Sequence, residues 1–258
     1  AGTRSILRIG PAGENSTAFS MVVVDTYRHF GRLGLGAAFG SKNLKAVLVT
    51  GTGKHYSAFS MIPDFRAFFE ELHVKMTSAN MRKYHEFGTA VNVLSINELG
   101  GLPTRNLQSS TFEYAEEISG ERFAEFDLSR KFACAGCPVG CIHIATIRRK
   151  FATEEEWERN DVSYDYELIY SLGTVLGIKE RQAILTLIEK VEELGLDAIY
   201  TGVLLAWITE AFEKKIIGKE VLGDIIPAFG DVEGYTKLID CLVYDKSEFY
   251  CIARKGLD

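Results

Sequence analysis

Three of the chain's five cysteines lie within one short run, Cys134-Ala-Gly-Cys137-Pro-Val-Gly-Cys141. Thiolates are the preferred ligands of iron–sulfur clusters and also bind zinc, and close spacing allows one loop to surround one metal centre. Gly136 and Gly140 permit positive φ, so that backbone amides can turn toward the sulfur atoms of a cluster. The spacing favours Cys134, Cys137 and Cys141 as three of the four ligands of a [4Fe–4S] cluster.

Two other interpretations of the same run stay open at this point. The three thiols could bind zinc with His143 as the fourth ligand, because mixed cysteine and histidine sets are common at zinc sites. Alternatively, two of the cysteines could form a disulfide and leave one free thiol. A non-catalytic zinc or iron–sulfur binding module that serves as an interaction domain is therefore the alternative to an enzyme.

A second run combines glycines with cations. Between Arg28 and Lys45 the sequence has four glycines, two arginines and two lysines. Exposed backbone amides together with cations form a phosphate cradle, and arginine can hold a phosphate through two parallel hydrogen bonds. The alternative is a glycine-rich connection between strands with solvated charges, since the run is neither a Walker loop nor a GxGxxG motif that opens a helix.

Carboxylates mark two further positions. Asp165 and Glu167 lie where a helix is predicted to start, and such carboxylates commonly only complement the helix dipole. Glu167 could instead act as a general acid or base if it is aimed into a cleft and burial raises its pKa. Glu192 and Asp197 flank a predicted junction, where Gly195 ends one helix and Asp197 begins the next. The functional interpretation is that both carboxylates accept hydrogen bonds from amino groups of a ligand.

The hydrophobic pattern predicts the elements that must position these residues. Apolar and β-branched runs predict strands at 5–9, 18–24, 46–50 and 142–147, and composition predicts a turn at 10–15 and a charged loop at 150–160. Apolar residues at helical spacing predict helices at 64–76, 90–99, 114–126, 181–194, 199–212, 221–229 and 235–243, and one that begins at 166. We expect a mainly helical domain preceded by an N-terminal β-strand segment, and an α+β fold overall.

The totals restrict the class of partner. The chain has 258 residues, of which 47% are hydrophobic, and a formal net charge of −6. An acidic balance without a basic stripe argues against nucleic acid as a partner, and the lack of an apolar run of about eighteen residues argues against a membrane span. An odd number of cysteines with three clustered fits a reducing compartment, so we expect a cytoplasmic protein.

Four segments, in this order, resemble the tungsten-containing aldehyde ferredoxin oxidoreductases. Together they span nearly all of the chain, and they are Ile9 to Asn15, Arg28 to Ala46, Ala133 to Cys141, and Tyr166 to Gly202. The resemblance implies a mononuclear tungsten or molybdenum held by two pterin cofactors beside a [4Fe–4S] cluster. An aldehyde would be oxidised to a carboxylic acid there, and electrons would pass through the cluster to ferredoxin.

The resemblance also implies a role for each candidate residue. Cys134, Cys137 and Cys141 would be cluster ligands, and Glu167 would be the catalytic residue near the metal. The pterin phosphates would be bound by Arg28, His29, Gly31 and Arg32. The pterin heterocycle would be bound by Glu192, Leu196 and Asp197.

The sequence departs from the family's pattern at three positions. Glu192 stands where aspartate is usual, and His29 and Leu33 stand where small residues are usual. Cys241 and Cys251 lack the context of a fourth cluster ligand, and we expect them to be buried helix cysteines.

The resemblance covers only part of a family member. It implies that residues 1–55 are the last strands of the pterin-binding β domain and that residues 56–258 are the helical iron–sulfur and pterin-binding domain. A third domain, with the fourth cluster ligand, would lie outside this chain. We therefore expect the chain alone to be inactive and free of cofactor; the aldehyde and any homo-oligomer stay undetermined.

Overall fold

The structure is a computed structural model that describes residues 3–25, 28–30, 32–51, 63–134, 136–150 and 156–257. Helices and two small antiparallel sheets make up these residues, which confirms the α+β prediction with helix dominant. The boundary predicted at residues 55 and 56 lies outside the described residues. No helix in the described ranges has the length and apolar content needed to span a bilayer.

The first sheet is formed by the N-terminal residues. Its strands are β1 (Thr3–Ile9), β2 (Val22–Val24), β3 (Arg28–His29) and β4 (Ala46–Gly51), and two short helices, α1 (Pro11–Glu14) and α2 (Leu35–Gly40), connect them. The strands lie in the order β3-β2-β1-β4, and each is antiparallel to its neighbours. β-branched residues fill β2, and Val22 and Val23 are fully buried, so the sheet is covered at this strand.

The second sheet follows in the middle of the chain. It consists of β5 (Leu128–Phe132), β6 (Ile142–Lys150) and β7 (Trp157–Tyr164), in that order and antiparallel. The cysteine run forms the connection from β5 to β6. The long ladder of β6 with β7 runs from His143 opposite Tyr164 to Lys150 opposite Trp157, and it gives the cysteine run a fixed base.

The remaining helices form the core. They are α3 (Phe65–Met76), α4 (Ala79–Phe87), α5 (Asn92–Glu98), α6 (Gly120–Phe126), α7 (Tyr166–Leu172), α8 (Arg181–Leu194), α9 (Ala198–Glu213), α10 (Val232–Tyr244) and α11 (Glu248–Ala253). The apolar stripes of α7, α8, α9 and α10 are fully buried against one another. A β-carbon on Gly202 would lie 2.1 Å from the carbonyl oxygen of Ser171, so the glycine allows α9 to approach α7 closely.

The two parts of the fold meet backbone to backbone at Gly10 and Gly195. A β-carbon on Gly10 would lie 2.3 Å from the carbonyl oxygen of Leu194. The Met21 amide donates to Gly195 O at 2.8 Å, and the Asp197 amide donates to Phe19 O at 2.9 Å. These contacts fix the α8–α9 junction, which carries the candidate pterin residues, against the N-terminal sheet.

Several local predictions are confirmed by this fold. The helix at 181–194 has its predicted bounds, and Gly195 ends it in the left-handed region at φ 74°. The strand at 46–50 and the helices at 64–76, 199–212 and 235–243 agree with β4, α3, α9 and α10 to within a few residues. These are the segments whose apolar period is longest or clearest, and it is there that local pattern is most informative.

Other local predictions are wrong. The turn at 10–15 contains α1, the glycine run contains α2, and the charged loop at 150–160 contains the start of β7. Only the last residues of the helix predicted at 114–126 are helical, as α6. The helix predicted at 221–229 does not form, because Gly223 and Asp224 both have positive φ and Pro227 follows.

Candidate functional site

The cysteine run, residues 134–141, is a turn with two left-handed glycines, and we call it the cysteine loop. The Cys137 amide donates to Cys134 O at 3.0 Å. Gly136 and Gly140 have φ of 75° and 66°, which confirms the expectation that glycine is needed at these positions. Cys134 is exposed, and Cys137 and Cys141 are half-buried. All three thiols are thus free and within reach of a ligand.

The thiols and one arginine influence one another electrostatically. Burial raises the pKa of the Cys141 thiol, the neighbouring Cys134 and Cys137 raise it further, and the Arg28 guanidinium lowers it. A thiolate is the ligand form of cysteine, and a nearby cation favours it. The Cys141 thiol therefore lies where the other two loop thiols and the Arg28 cation act on it.

Helix α4 supports the loop from below. His85 Nδ1 donates to the carbonyl oxygen of Val139 at 2.7 Å. A β-carbon on Gly140 would lie 3.2 Å from the same nitrogen. No feature of the sequence singles out His85, because a lone histidine at helical spacing has no local signature.

His143 is part of the core. It is fully buried, with Nε2 at 3.1 Å from His85 O and Nδ1 at 3.3 Å from the hydroxyl of Tyr164. Burial lowers the pKa of its imidazole. Both ring nitrogens have protein partners, so the zinc interpretation loses its fourth ligand. Across the described ranges, no three His, Cys, Asp or Glu side chains gather closely enough to hold a single metal ion.

Residues 28–32, which we call the basic segment, reach the cysteine loop through Arg28. Its Nη2 donates to Cys134 Sγ at 2.9 Å, across 106 residues of sequence. The segment is held by β3, in which Arg28 is paired with Val24 of β2. Two runs that the sequence could only describe separately therefore form one site.

The basic segment also contacts the α8–α9 junction. His29 Nε2 lies 2.8 Å from Glu192 Oε2 near the end of α8. Arg32 Nε donates to Asp197 Oδ2 at 2.6 Å, and the Asp197 side chain is only 4% exposed. A carboxylate buried to that extent needs a partner, and Arg32 provides it. Asp197 also caps α9 by accepting from the Tyr200 amide.

These contacts enclose a cleft of about 420 Å³. Two helix N-termini face it, because Asp165 caps α7 and Asp197 caps α9. Helix N-termini and arginines are suited to anions. The cleft is lined by seven of the residues singled out from the sequence, namely Arg28, His29, Arg32, Asp165, Glu167, Glu192 and Asp197.

The carboxylate with the strongest perturbation is Asp165. Burial is the main cause that raises its pKa to about 6, and the charges of Glu167 and Glu192 add to it. The amide of Leu168, which donates to the Asp165 carboxylate at 3.0 Å, works in the opposite direction. The side chain of Glu167 is exposed, so the structure does not show the burial that the acid–base interpretation of this residue required.

Four remaining sequence candidates lie elsewhere. The side chain of Leu196 is fully buried in the core, so only its backbone could face a ligand. Gly31 lies outside the described residues. Cys241 is half-buried in α10, and Cys251 is exposed on α11 rather than buried as expected.

Comparison with known proteins identifies the family of this chain. The sequence model for the aldehyde ferredoxin oxidoreductase N-terminal domain matches residues 2–51, and the model for domains 2 and 3 matches residues 68–256. The chain belongs to the aldehyde ferredoxin oxidoreductase family. The tungsten-containing enzyme of Thermococcus kodakarensis is 36% identical over 250 residues, and that of Pyrococcus furiosus is 38% identical over 230 residues.

A further relative shows how the family varies. The aliphatic sulfonate oxidoreductase, WOR-like subunit, of Pyrococcus furiosus is 34% identical to this chain over 244 residues. The alignments cover 93%, 86% and 93% of this chain but 39%, 35% and 37% of the three relatives. This chain thus spans less than half the length of the curated relatives it matches.

A solved structure shares the fold. The active site complex BamBC of benzoyl coenzyme A reductase, solved with 1,5-dienoyl-CoA, superimposes with a TM-score of 0.64 at 21% identity. The match covers 98% of this chain and 38% of that one. The sheet and helix arrangement therefore occurs in a further oxidoreductase of known structure.

Proposed function

We propose that this chain supplies part of the active site of an aldehyde:ferredoxin oxidoreductase. It would contribute three ligands of a [4Fe–4S] cluster and one wall of the binding site for a tungsten or molybdenum bis-pterin cofactor. The observation that carries the proposal is the contact of 2.9 Å between Arg28 Nη2 and Cys134 Sγ. It joins the residues suited to a cluster with those suited to a phosphate.

The donor chemistry of the cysteine loop fits a cluster. Cysteine thiolates hold [4Fe–4S] clusters, and each ligates a different iron atom, so the thiols need not meet at one point. A β-carbon on Gly136 would touch nothing within 4 Å, which leaves open space over the loop. Cys134, Cys137 and Cys141 would be three ligands, and the fourth would come from residues outside this chain.

The basic segment fits the anionic part of a pterin cofactor. Arg28 and Arg32 face the cleft from one side, and the N-terminus of α9 faces it from another. Guanidinium groups bind phosphate with two parallel hydrogen bonds, and Arg32, with its side chain 51% exposed, is accessible for this. We assign Gly31 to the same phosphate site, and the backbone of Leu196 and the carboxylates of Glu192 and Asp197 to the heterocycle.

When bound, the metal and its pterins would supply the two-electron redox chemistry. Oxidation of an aldehyde with one water gives a carboxylic acid, two protons and two electrons, and the electrons would leave toward ferredoxin. The chain's own part is to orient the cofactor and to accept protons. We assign Glu167 as a proton acceptor, because its carboxylate is exposed in the cleft beside Asp165.

The proposal is tested by metal analysis of the full-length protein after anaerobic purification. We expect four irons, four sulfides and one tungsten or molybdenum per chain, with aldehyde-dependent reduction of a viologen dye. Cys134→Ser should lower bound iron and abolish dye reduction, whereas Cys251→Ser, in an exposed position on α11, should change neither.

Two results would contradict the proposal. One zinc per chain with no iron would favour the non-catalytic module. Full iron and tungsten occupancy without oxidation of any aldehyde would refute the reaction but not the cofactors. The 258-residue chain by itself should be colourless and inactive, because three thiols alone leave a cluster one ligand short.

A further inference from the structure

We infer that His85 and His143 are positioning residues for one ligand of the cysteine loop. Together they hold Cys141 in place before a cluster binds, whereas Cys134 and Cys137 lie on a turn that can adapt to it. The inference rests on the proposed function, because it takes the loop to bind a cluster. It assigns unequal roles to three cysteines that the sequence pattern treats alike.

Two hydrogen bonds to His85 bracket Cys141. On the N-terminal side of the cysteine, the carbonyl oxygen of Val139 accepts from His85 Nδ1 at 2.7 Å. On the C-terminal side, His143 Nε2 lies 3.1 Å from the backbone carbonyl oxygen of His85. A single residue of α4 therefore restrains the chain both before and after this thiol.

The surroundings of His143 fix the direction of its hydrogen bonds. Burial favours the neutral imidazole, which has one donor and one acceptor nitrogen, and a carbonyl oxygen can only accept. Nε2 therefore donates to His85 O, and Nδ1 accepts from the Tyr164 hydroxyl at 3.3 Å. The side chains of His143 and Tyr164 are both buried, so the loss of either bond would leave an unsatisfied polar group inside the protein.

Neighbouring elements restrict the rotation of the His143 imidazole. His143 and Tyr164 lie opposite each other in the ladder of β6 with β7. The Tyr164 ring stacks on Phe123 of α6, with the ring centroids 4.8 Å apart. Gly88, which ends α4, has φ 64°, and a β-carbon there would lie 3.3 Å from His143 Nδ1. The imidazole is therefore enclosed between the end of α4 and β7.

The first turn of the loop has a different kind of support. The Cys137 amide donates to Cys134 O at 3.0 Å, so the backbone of this turn closes on itself. The exposed Cys134 thiol accepts from Arg28 Nη2 at 2.9 Å, and a β-carbon on Gly136 would have nothing within 4 Å. Within the described residues, this turn can therefore move as a unit while the buried hydrogen bonds around Cys141 stay intact.

This difference affects how the loop would bind a cluster. A ligand that is already held in place loses less conformational entropy on binding than a ligand on a mobile segment does. Cys141 should therefore determine where the loop holds the cluster, and the two thiols of the first turn would adjust to it. Loss of the restraint should weaken retention of the cluster, although all three thiols are still present.

The restraint is measured on the cluster-free chain by alkylation of each thiol. Labelling with iodoacetamide is stopped at intervals, and the three cysteines of the loop are quantified separately by peptide mass spectrometry. We expect Cys141 to react more slowly than Cys134 in the parent. His143→Leu removes both hydrogen bonds and should raise the Cys141 rate about tenfold, a factor that corresponds to about 1.4 kcal/mol, and should change the Cys134 rate less than about twofold.

Two conservative variants separate positioning from general stability. His143→Gln keeps one donor and one acceptor, and it should hold the Cys141 rate close to that of the parent. Tyr164→Phe removes a single hydroxyl and should raise the Cys141 rate by about three- to fivefold. Tyr235→Phe is its matched control and should leave all three rates unchanged, because the Tyr235 hydroxyl is also buried and lies 3.2 Å from Thr209 Oγ1 in the helical core.

Release of iron gives a second measure in the full-length protein. The protein is purified anaerobically, and the transfer of its iron to a chelator is followed by absorbance. His143→Leu should raise the rate of release about tenfold, in parallel with the Cys141 alkylation rate, and His143→Gln should keep the parent rate. This measurement does not depend on oxidation of an aldehyde.

The outcomes separate this inference from the proposed function. If Cys141 and Cys134 react equally fast in the parent, or if His143→Leu raises all three rates equally, the positioning role is refuted. If circular dichroism shows that His143→Leu does not fold, Tyr164→Phe decides, and an unchanged Cys141 rate in that variant refutes the role. If the thiols react as expected but the full-length protein holds no iron, the proposed function is refuted and the restraint on Cys141 stands.

Discussion

Replacing Asp165 with asparagine should stabilise the protein at neutral pH. The carboxylate is partly buried and close to Glu167 and Glu192, and its pKa is raised from 3.8 to about 6. A difference of about 2 pH units corresponds to roughly 3 kcal/mol at about 1.4 kcal/mol per unit. Asparagine caps a helix as well as aspartate does, so the contact with the Leu168 amide is kept.

The favourable interaction of a negative charge with the N-terminus of α7 is already contained in the folded-state pKa, so it is not subtracted again. Solvent reaches the partly buried group and reduces the effect. We expect Asp165→Asn to raise the free energy of unfolding by about 1–2 kcal/mol at pH 7.

The sign of the pH dependence follows from linkage. Below about pH 4 the carboxyl is protonated in both folded and unfolded chains, and variant and parent should have equal stability. Between about pH 4 and pH 6 the unfolded chain releases the proton while the folded chain keeps it, so the parent loses stability as the pH rises. Above about pH 6 the difference from the variant should be constant.

Urea denaturation followed by circular dichroism at pH 4, 5, 6 and 7 measures this difference. All other titrating groups are common to both proteins and cancel. Asp231→Asn is the matched control, because Asp231 caps α10 through the Gly234 amide at 3.0 Å and is not part of the cleft. A difference that is constant from pH 4 to pH 7, or a variant less stable at pH 7, would refute the reasoning.

Three further predictions concern the backbone and the cysteine loop. Leu33→Gly should raise the free energy of unfolding by about 0.5–1 kcal/mol, because Leu33 has φ 79° and a 98% exposed side chain; Leu99→Gly, at φ −76°, should lower it by a similar amount. Gly10→Ala should destabilise the folded protein by about 2–3 kcal/mol, because its β-carbon would meet a carbonyl of α8 at 2.3 Å, whereas Gly51→Ala has open space and should be nearly neutral. Thermal unfolding measures the two leucine variants and the two glycine variants. His85→Ala should raise severalfold the rate at which iodoacetamide alkylates the loop thiols. His85→Asn keeps a donor for the loop carbonyl and should restore the parent rate. Equal rates in all three proteins would contradict the supporting role of α4.

Local sequence was informative where the physical constraint is local. The left-handed glycines of the cysteine loop follow from the steric limits of every other residue, and the bounds of α8 follow from its apolar period and its terminal glycine. The same reasoning failed in α2. Gly36 lies inside that helix, where a β-carbon would meet Met21 O at 2.7 Å, so glycine is required by the residue that precedes β2 and not by the local sequence.

Strand β7 was missed for a similar reason. Its charged residues suggested a loop, but each is paired along the ladder with β6, and Asp161 forms ion pairs with Arg130 and Arg159. A half-exposed strand needs an apolar face only where it is covered. The sequence of β7 alone does not indicate which neighbouring element covers this strand.

The sequence by itself determined the chemistry available to this protein: clustered thiols, a cationic glycine run and carboxylates at helix ends. Only the tertiary structure decided that the cationic run and the carboxylates share one cleft and that Arg28 joins this cleft to the thiols, since Arg28, His29 and Arg32 find their partners 106, 163 and 165 residues away. It also left the side chain of Glu167 exposed and that of Asp165 partly buried. Hydrogen bonds and burial depend on which elements pack together, and packing between distant elements leaves no periodic signal in a single chain.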